Sequence, residues 1–302
     1  MDDAAATVTD PADESGPHPN EVEILAPGHV RIQLVIAYDG AAYAGWQRQP
    51  QDLSVQQRVE EALARLFPGK PTVSGSSRTD TGVHAAGLCA HVDVPREQFR
   101  MPGRKLVLAL NAWLPEDIRI LSARRVSAQF HARFSAQGKE YRYRVWNHPA
   151  HHPLWRRQSW HVPRTLDLTA MRRAARAFEG RHDFLAFSAS PGYVRNHTVR
   201  TVTRCSIVRS GPLLTIVIRA DGFLYKMCRG IVGTLVQVGL GRFPPEVILD
   251  LLSARDRRLS GMTAPAQGLV LWKVFYPKSG QRLAHPAQRH PVSSRSDEHR
   301  PG

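Results

Sequence analysis

The sequence predicts an α+β protein built from two β-α-β-β-α-β halves. Apolar residues alternate at period two in several short runs and recur at helical spacing in others, and the two patterns follow one another in the same order in each half of the chain. At 302 residues and 42% hydrophobic content, the chain can bury one large core or two ordinary ones.

In the first half, Val30, Ile32, Leu34 and Ile36 alternate and predict a strand. Ser54-Val55-Gln56-Gln57 reads as a capping box, and Val55, Val59, Leu63, Leu66 and Phe67 follow at helical spacing. A short strand over 71–74 leads into a turn around Arg78-Thr79-Asp80, then come a strand over 88–94, a helix over 105–113 and a strand over 117–126. The second half repeats the order. Tyr141, Tyr143 and Val145 mark a strand, Leu168, Met171, Ala175 and Phe178 a helix ended by Gly180, and 199–208 with 213–220 a hairpin around Ser210-Gly211-Pro212. An apolar helix over 223–239, a further helix over 246–253 and a closing strand over 269–276 complete it. Each half is thus expected to be ferredoxin-like (RRM-like), with antiparallel sheets that associate and leave a basic central cleft. Such a fold carries many functions and names none by itself.

The expected organisation is a disordered acidic tail over 1–28, an N-terminal α+β half over 29–136, a C-terminal α+β half over 137–277 and a disordered basic tail over 278–302. The formal net charge is +15, with seven acidic and no Lys or Arg residues in 1–28 and five basic against two acidic residues in 278–302, so the middle carries +19. That excess suits a polyanion, because each neutralised phosphate releases condensed counterions. A membrane-surface helix would pair a basic face with an exposed apolar one. Here arginines interleave with aromatics instead, as in Tyr141-Arg142-Tyr143-Arg144-Val145-Trp146, which favours nucleic acid over membrane.

No run of about 18 apolar residues and no signal-peptide pattern is seen, so a cytoplasmic protein is expected. Cys89, Cys205 and Cys228 are widely spaced without a CxxC pair, which predicts reduced thiols in or near the core. His148, His151, His152 and His161 show no metal-ligand spacing, and no metal is expected.

The most informative stretch is Ser77-Arg78-Thr79-Asp80-Thr81-Gly82-Val83-His84. Read alone, Thr-Asp-Thr-Gly is ordinary turn or helix-cap chemistry. In a basic neighbourhood, however, the lone carboxylate of Asp80 is held ionised and is available as a nucleophile. His84 reads either as a general base, its ordinary pKa being near neutrality, or as a hydrogen-bonded brace for the loop, and the brace is the favoured reading.

Four blocks stand in order: Tyr38-Asp39-Gly40 with Gly45-Trp46-Gln47-Arg48-Gln49; Arg78 to Ala85; Phe130-His131-Ala132-Arg133-Phe134-Ser135-Ala136 running to Lys139-Glu140-Tyr141-Arg142-Tyr143; and Gly222-Phe223-Leu224-Tyr225-Lys226-Met227-Cys228-Arg229-Gly230-Ile231-Val232-Gly233. Together they resemble the tRNA pseudouridine synthase A family over about residues 30–276. The resemblance implies isomerisation of uridine to pseudouridine at positions 38, 39 and 40 of the tRNA anticodon stem-loop, by a homodimer without a cofactor. It implies Asp80 as nucleophile, Arg229 paired with it across the cleft, Tyr141 stacked on the target uracil and aiding removal of the C5 proton, Arg78 either entering the stem or clamping phosphate, and Gly82 and His84 supporting the loop. Tyr38, Asp39, Trp46 and Gln47 are expected either to pack beneath the catalytic turn or to contact RNA. The chain departs from the family at Ser77 (usually Gly), Thr81 (usually Ala), Cys228 (commonly Val) and Gly230 (commonly Asn).

Two rival functions are weaker. A binding protein with paired RRM-like sheets should show an RNP1-like run of stacking aromatics, which is missing. A nucleosidase would want a second acid or a metal to activate water, and the region offers Asp80 as its main acid.

Overall fold

In the computed structural model the described residues are 24–189 and 197–277, so most of the expected N-terminal tail and all of the C-terminal one lie outside them. The described chain forms ten strands and five α-helices. They are β1 (His29–Tyr38), α1 (Val55–Ala64), β2 (Val73–Gly75), β3 (His84–Pro95), α2 (Gly103–Trp113), β4 (Ile118–Val126), β5 (Gly138–Trp146), β6 (Trp160–His161), α3 (Leu168–Ala177), β7 (Gly180–Asp183), β8 (Val199–Ser210), β9 (Leu213–Ala220), α4 (Met227–Gly239), α5 (Val247–Ala254) and β10 (Leu269–Phe275).

The alternation in β1 has the physical meaning read from it. Ile32, Leu34 and Ile36 are fully buried and share one core with Val55, Val59 and Leu63 of α1 and with Leu106 and Leu110 of α2. Ser54 caps α1 by accepting the Gln57 amide at 3.3 Å. The reciprocal half of the capping box does not form, because the Gln57 side chain donates to Glu61 at 2.9 Å instead. Leu66 and Phe67 lie past the helix end, where Leu63 O accepts both of their amides.

The two expected sheets are in fact one. The strand order is β4-β1-β3-β10-β5-β9-β8-β7, with β2 added to β3 and β6 to β5. The junction is a short parallel pairing of β10 with β3, Val270 opposite His84 and Leu271 opposite Ala85, whereas β10 runs antiparallel to β5 over a longer register. Edge groups at the start of β3 are satisfied by the last strand of the chain. The pattern of side chains does not announce such a junction, since only two residue pairs make it.

The apolar helix expected from Phe223 begins at Met227. Lys226 sits at φ +57, in the left-handed region, and breaks the run before the first turn. From there α4 is apolar on nearly every side and buried except at Arg229 and Gln237. Its fit depends on missing side chains: a Cβ on Gly233 would lie 1.6 Å from the Met262 carbonyl oxygen. This approach presses the 261–264 segment onto the helix. Gly233→Ala must push that segment away, and overpacking of this kind costs about 1–3 kcal/mol. A lowered urea midpoint for Gly233→Ala is the expected result, and an unchanged midpoint would show that the contact carries no strain.

Candidate active site

Asp80 stands in the loop between β2 and β3, at the seam where the strands of residues 29–126 meet those of 138–275. The loop is a tight turn, with the Val83 amide donating to Asp80 O at 3.1 Å. Gly82, its third residue, has φ +76, which a type II turn requires at that position and a residue with a Cβ resists. Beneath it, the backbone of Gly45 and Trp46 approaches closely: the Trp46 amide donates to Thr79 O at 3.2 Å, and a Cβ on Gly45 would lie 2.3 Å from the same oxygen. Tyr38 reaches the turn through a 2.8 Å hydrogen bond between its hydroxyl and Thr79 Oγ1, and its ring stacks with Trp46 at 6.3 Å. Tyr38 and Trp46 are buried, so of the two readings for this block they pack beneath the turn; Gln47 is exposed and Asp39 half-exposed.

The structure brings Asp80 and Arg229 together. Arg229 Nη1 donates to Asp80 Oδ2 at 2.9 Å, and both side chains are mostly but not wholly shielded, at 15% and 18% exposure. Arg229 is itself fixed, its Nε donating to Ala264 O at 2.7 Å while the Ala264 amide donates back to Arg229 O at 3.0 Å. A carboxylate in such a place loses water on most sides, and the guanidinium supplies the compensating charge.

Tyr141 approaches from β5. Its hydroxyl lies 3.0 Å from Ser77 Oγ, and its ring meets the edge of Phe223 at 4.9 Å. Burial pushes the Tyr141 phenol far above its ordinary range, with the nearby Cys228 and Asp80 adding to the effect, so it is a neutral ring with one polar end. Tyr143, two residues on along the same face, is also buried and donates to Pro265 O at 2.8 Å. Arg142 and Arg144 leave the opposite face, where they lie 3.9 Å from the Trp272 ring and 5.6 Å from the Trp155 ring. The interleaving of Arg with aromatics is therefore strand alternation with one apolar and one cationic face.

His84 is fully engaged. Nδ1 lies 3.1 Å from the Gly40 amide and 3.0 Å from Asp39 Oδ1, and Nε2 lies 3.0 Å from Arg157 O and 3.1 Å from Gln267 O. Two carbonyls at Nε2 require the proton there, which leaves Nδ1 to accept from Gly40 when the ring is neutral. Arg78 is exposed beside the turn, and no hydrogen bond or ion pair holds its side chain among the described residues. The three cysteines are buried with their thiols free. His151 and His161 stack on one another at 4.6 Å, and no cluster of three or more His, Cys, Asp or Glu side chains able to hold a metal occurs among the described residues.

Sequence reasoning missed Thr79, Ala264 and the hydroxyl of Ser77. Thr79 and Ser77 flank Arg78 in a motif already singled out, but nothing in their spacing says that they bond to Tyr38 and Tyr141. Ala264 acts only through its backbone and leaves no mark in the sequence. The departure at Gly230 has a steric reading, since a Cβ there would lie 2.3 Å from Phe187 O.

Comparison with known proteins agrees with this geometry. A family model described as tRNA pseudouridine synthase matches residues 34–135 and 174–277. The chain is 48% identical over 245 residues to tRNA pseudouridine synthase A of Syntrophotalea carbinolica, covering 81% of this chain and 96% of that protein. It is 45% identical over 249 residues to tRNA pseudouridine synthase A of Geobacillus kaustophilus, covering 82% and 94%. It is 42% identical over 245 residues to tRNA pseudouridine synthase A 2 of Clostridium perfringens, covering 81% and 99%.

The turn makes one local prediction. Gly82→Ala forces a Cβ into the left-handed region, at a cost of about 1–2 kcal/mol. Denaturation should show that loss, and equal stability of the two proteins would mean the turn does not hold this conformation in solution.

Proposed function

The chain belongs to the tRNA pseudouridine synthase family and is a tRNA-modifying isomerase, and on that premise we propose that Asp80 attacks the uridines at positions 38, 39 and 40 of the anticodon stem-loop. The observation that carries the reading is the Asp80–Arg229 pair at 2.9 Å, set between the turn and the Tyr141 ring.

The reaction breaks the bond from ribose C1′ to N1, turns the uracil and joins C1′ to C5. The C5 proton leaves and N1 gains one, so no net electrons move and no cofactor is called for. Attack on C1′, attack on ring C6 and proton abstraction toward a glycal all need an ionised carboxylate in contact with the nucleoside. Arg229 keeps Asp80 in that state. Tyr141 offers the detached uracil a rigid platform on the shielded side of the site. Because burial keeps its phenol protonated, its hydroxyl can move the C5 proton only as a relay, taking that proton on while its own departs along a hydrogen bond such as that to Ser77.

The target base must leave the stem first, at a cost of roughly a few kcal/mol. Arg78 is exposed at the turn and two residues from Asp80, where its planar guanidinium can occupy the vacated stack or clamp phosphate. Gly82 and His84 hold the turn, the first by its backbone conformation and the second by joining it to the 157 and 267 loops.

We also read the chain as two ferredoxin-like halves, 29–136 and 137–277, flanked by disordered tails 1–28 and 278–302. Supporting the first half is the local strand order β4-β1-β3-β2. The family resemblance supports a cytoplasmic homodimer. No described helix is long and apolar enough to cross a membrane.

The direct test is to incubate the purified protein with unmodified tRNA bearing uridines at 38–40, without added cofactor, and map pseudouridine by nucleotide. Pseudouridine at those positions is expected from the intact protein. Asp80→Asn should form none while binding tRNA to within about threefold of the intact protein. Activity of Asp80→Asn within about tenfold of the intact protein would refute the nucleophile. Tyr141→Phe keeps the platform and loses the relay, so turnover should fall about a hundredfold with little change in tRNA affinity. An unchanged rate would confine Tyr141 to stacking.

A further inference from the structure

Lys139 stands two residues before Tyr141 on β5. Side chains at that spacing leave the same face of a strand, roughly 6.6 Å apart. Lys139 therefore shares the face of the tyrosine proposed to hold the uracil, and it interrupts a run that continues as Tyr141, Tyr143 and Val145.

The surroundings of Lys139 are apolar or positive. Its register partners are Ala220 on β9 and Val274 on β10. The neighbouring carboxylates are engaged elsewhere, Glu140 bonding to Arg142 at 2.9 Å on the opposite face and Asp221 accepting the Thr201 amide at 3.0 Å. The charged groups that face Lys139 are Arg133, from the segment before β5, and Arg200, from the start of β8. Arg200 is anchored through Nη1 on His197 O at 2.9 Å and Val199 O at 2.7 Å. Its Nε lies 3.3 Å from where a side chain on Gly222 would begin, one residue before the Phe223 ring that touches Tyr141. Burial, with the two guanidiniums adding to it, lowers the Lys139 amine from its ordinary 10.5 to about 8. A half-buried ammonium packed against two further cations is a cost that an anion would offset.

We infer that Lys139, Arg133 and Arg200 form a phosphate site that takes a phosphodiester of the RNA strand beside the uridine stacked on Tyr141. The inference rests on the function proposed above and adds the atom class that this part of the wall recognises. A phosphodiester brings a full negative charge and acceptor oxygens for both an ammonium and planar guanidiniums. Held there, the backbone next to the target nucleotide is fixed while its base is out of the stack, so Lys139 acts as a positioning residue and touches no reacting atom.

The experiment measures binding of unmodified tRNA to the full-length protein against salt and pH, with pseudouridine formation followed in parallel. Lys139→Met should weaken binding about tenfold at low salt and lower the slope of log affinity against log salt by about 0.7–0.9, the share of one phosphate contact. Lys139→Arg should restore the slope. Intact-protein affinity should also fall between about pH 7 and about pH 9.5, as the ammonium loses its proton, whereas Lys139→Arg should hold its affinity over that range. A folded Lys139→Met protein with an unchanged salt slope overturns the phosphate site, as does an equal pH dependence in Lys139→Arg. If Lys139→Met does not fold, the pH comparison of the intact protein with Lys139→Arg decides alone. Absence of pseudouridine with the intact protein would overturn the proposed function instead, so the two failures are told apart.

Discussion

Arg229 and Asp80 are separated by 149 residues, and their 2.9 Å contact joins the first turn of α4 to the loop before β3. The backbone does little of this joining, since the parallel pairing of β3 with β10 spans only two residue pairs. Charged groups shielded from water need a partner in good geometry, and removing one of them leaves the other uncompensated. The arginine is aimed by Ala264, and Ala264 belongs to the segment that Gly233 admits against α4. A helix, a loop and a turn from distant parts of the sequence are thus set by one guanidinium.

The same seam explains why the candidate site lies where it does. Ser77 with Tyr141 and Asp80 with Arg229 all cross it, while His84 ties the start of β3 to the carbonyls of Arg157 and Gln267. The face of β5 that carries Lys139 and Tyr141 belongs to the site. The other face carries Arg142 and Arg144 against aromatic rings, so the large positive charge of the chain is divided between two surfaces with different surroundings.

Strand alternation made β1, β3, β4, β5, β8 and β9 legible because each runs long enough for a period of two to show. β6 and β7, with two and four residues, are too short and too polar to carry a period, and neither was expected. The start of α4 was misplaced because Phe223, Leu224 and Tyr225 continue the apolar run, and no composition signal tells that Lys226 takes a left-handed conformation. Asp80 could be picked out as an isolated acid in a basic chain. Its pairing with Arg229 came from resemblance, since spacing carries no information across 149 residues. Lys139 did leave a signal, a cation on the apolar face of β5, which the motif around it obscured.

The most direct test of this account is a double-mutant cycle on stability, combining Asp80→Asn with Arg229→Gln and comparing the pair with each single change. If the ion pair holds the seam, the two substitutions are coupled by about 1 kcal/mol or more, because each single change leaves a shielded charge unpaired. Additivity within about 0.3 kcal/mol would contradict the account, showing that the two groups stand close together without either depending on the other.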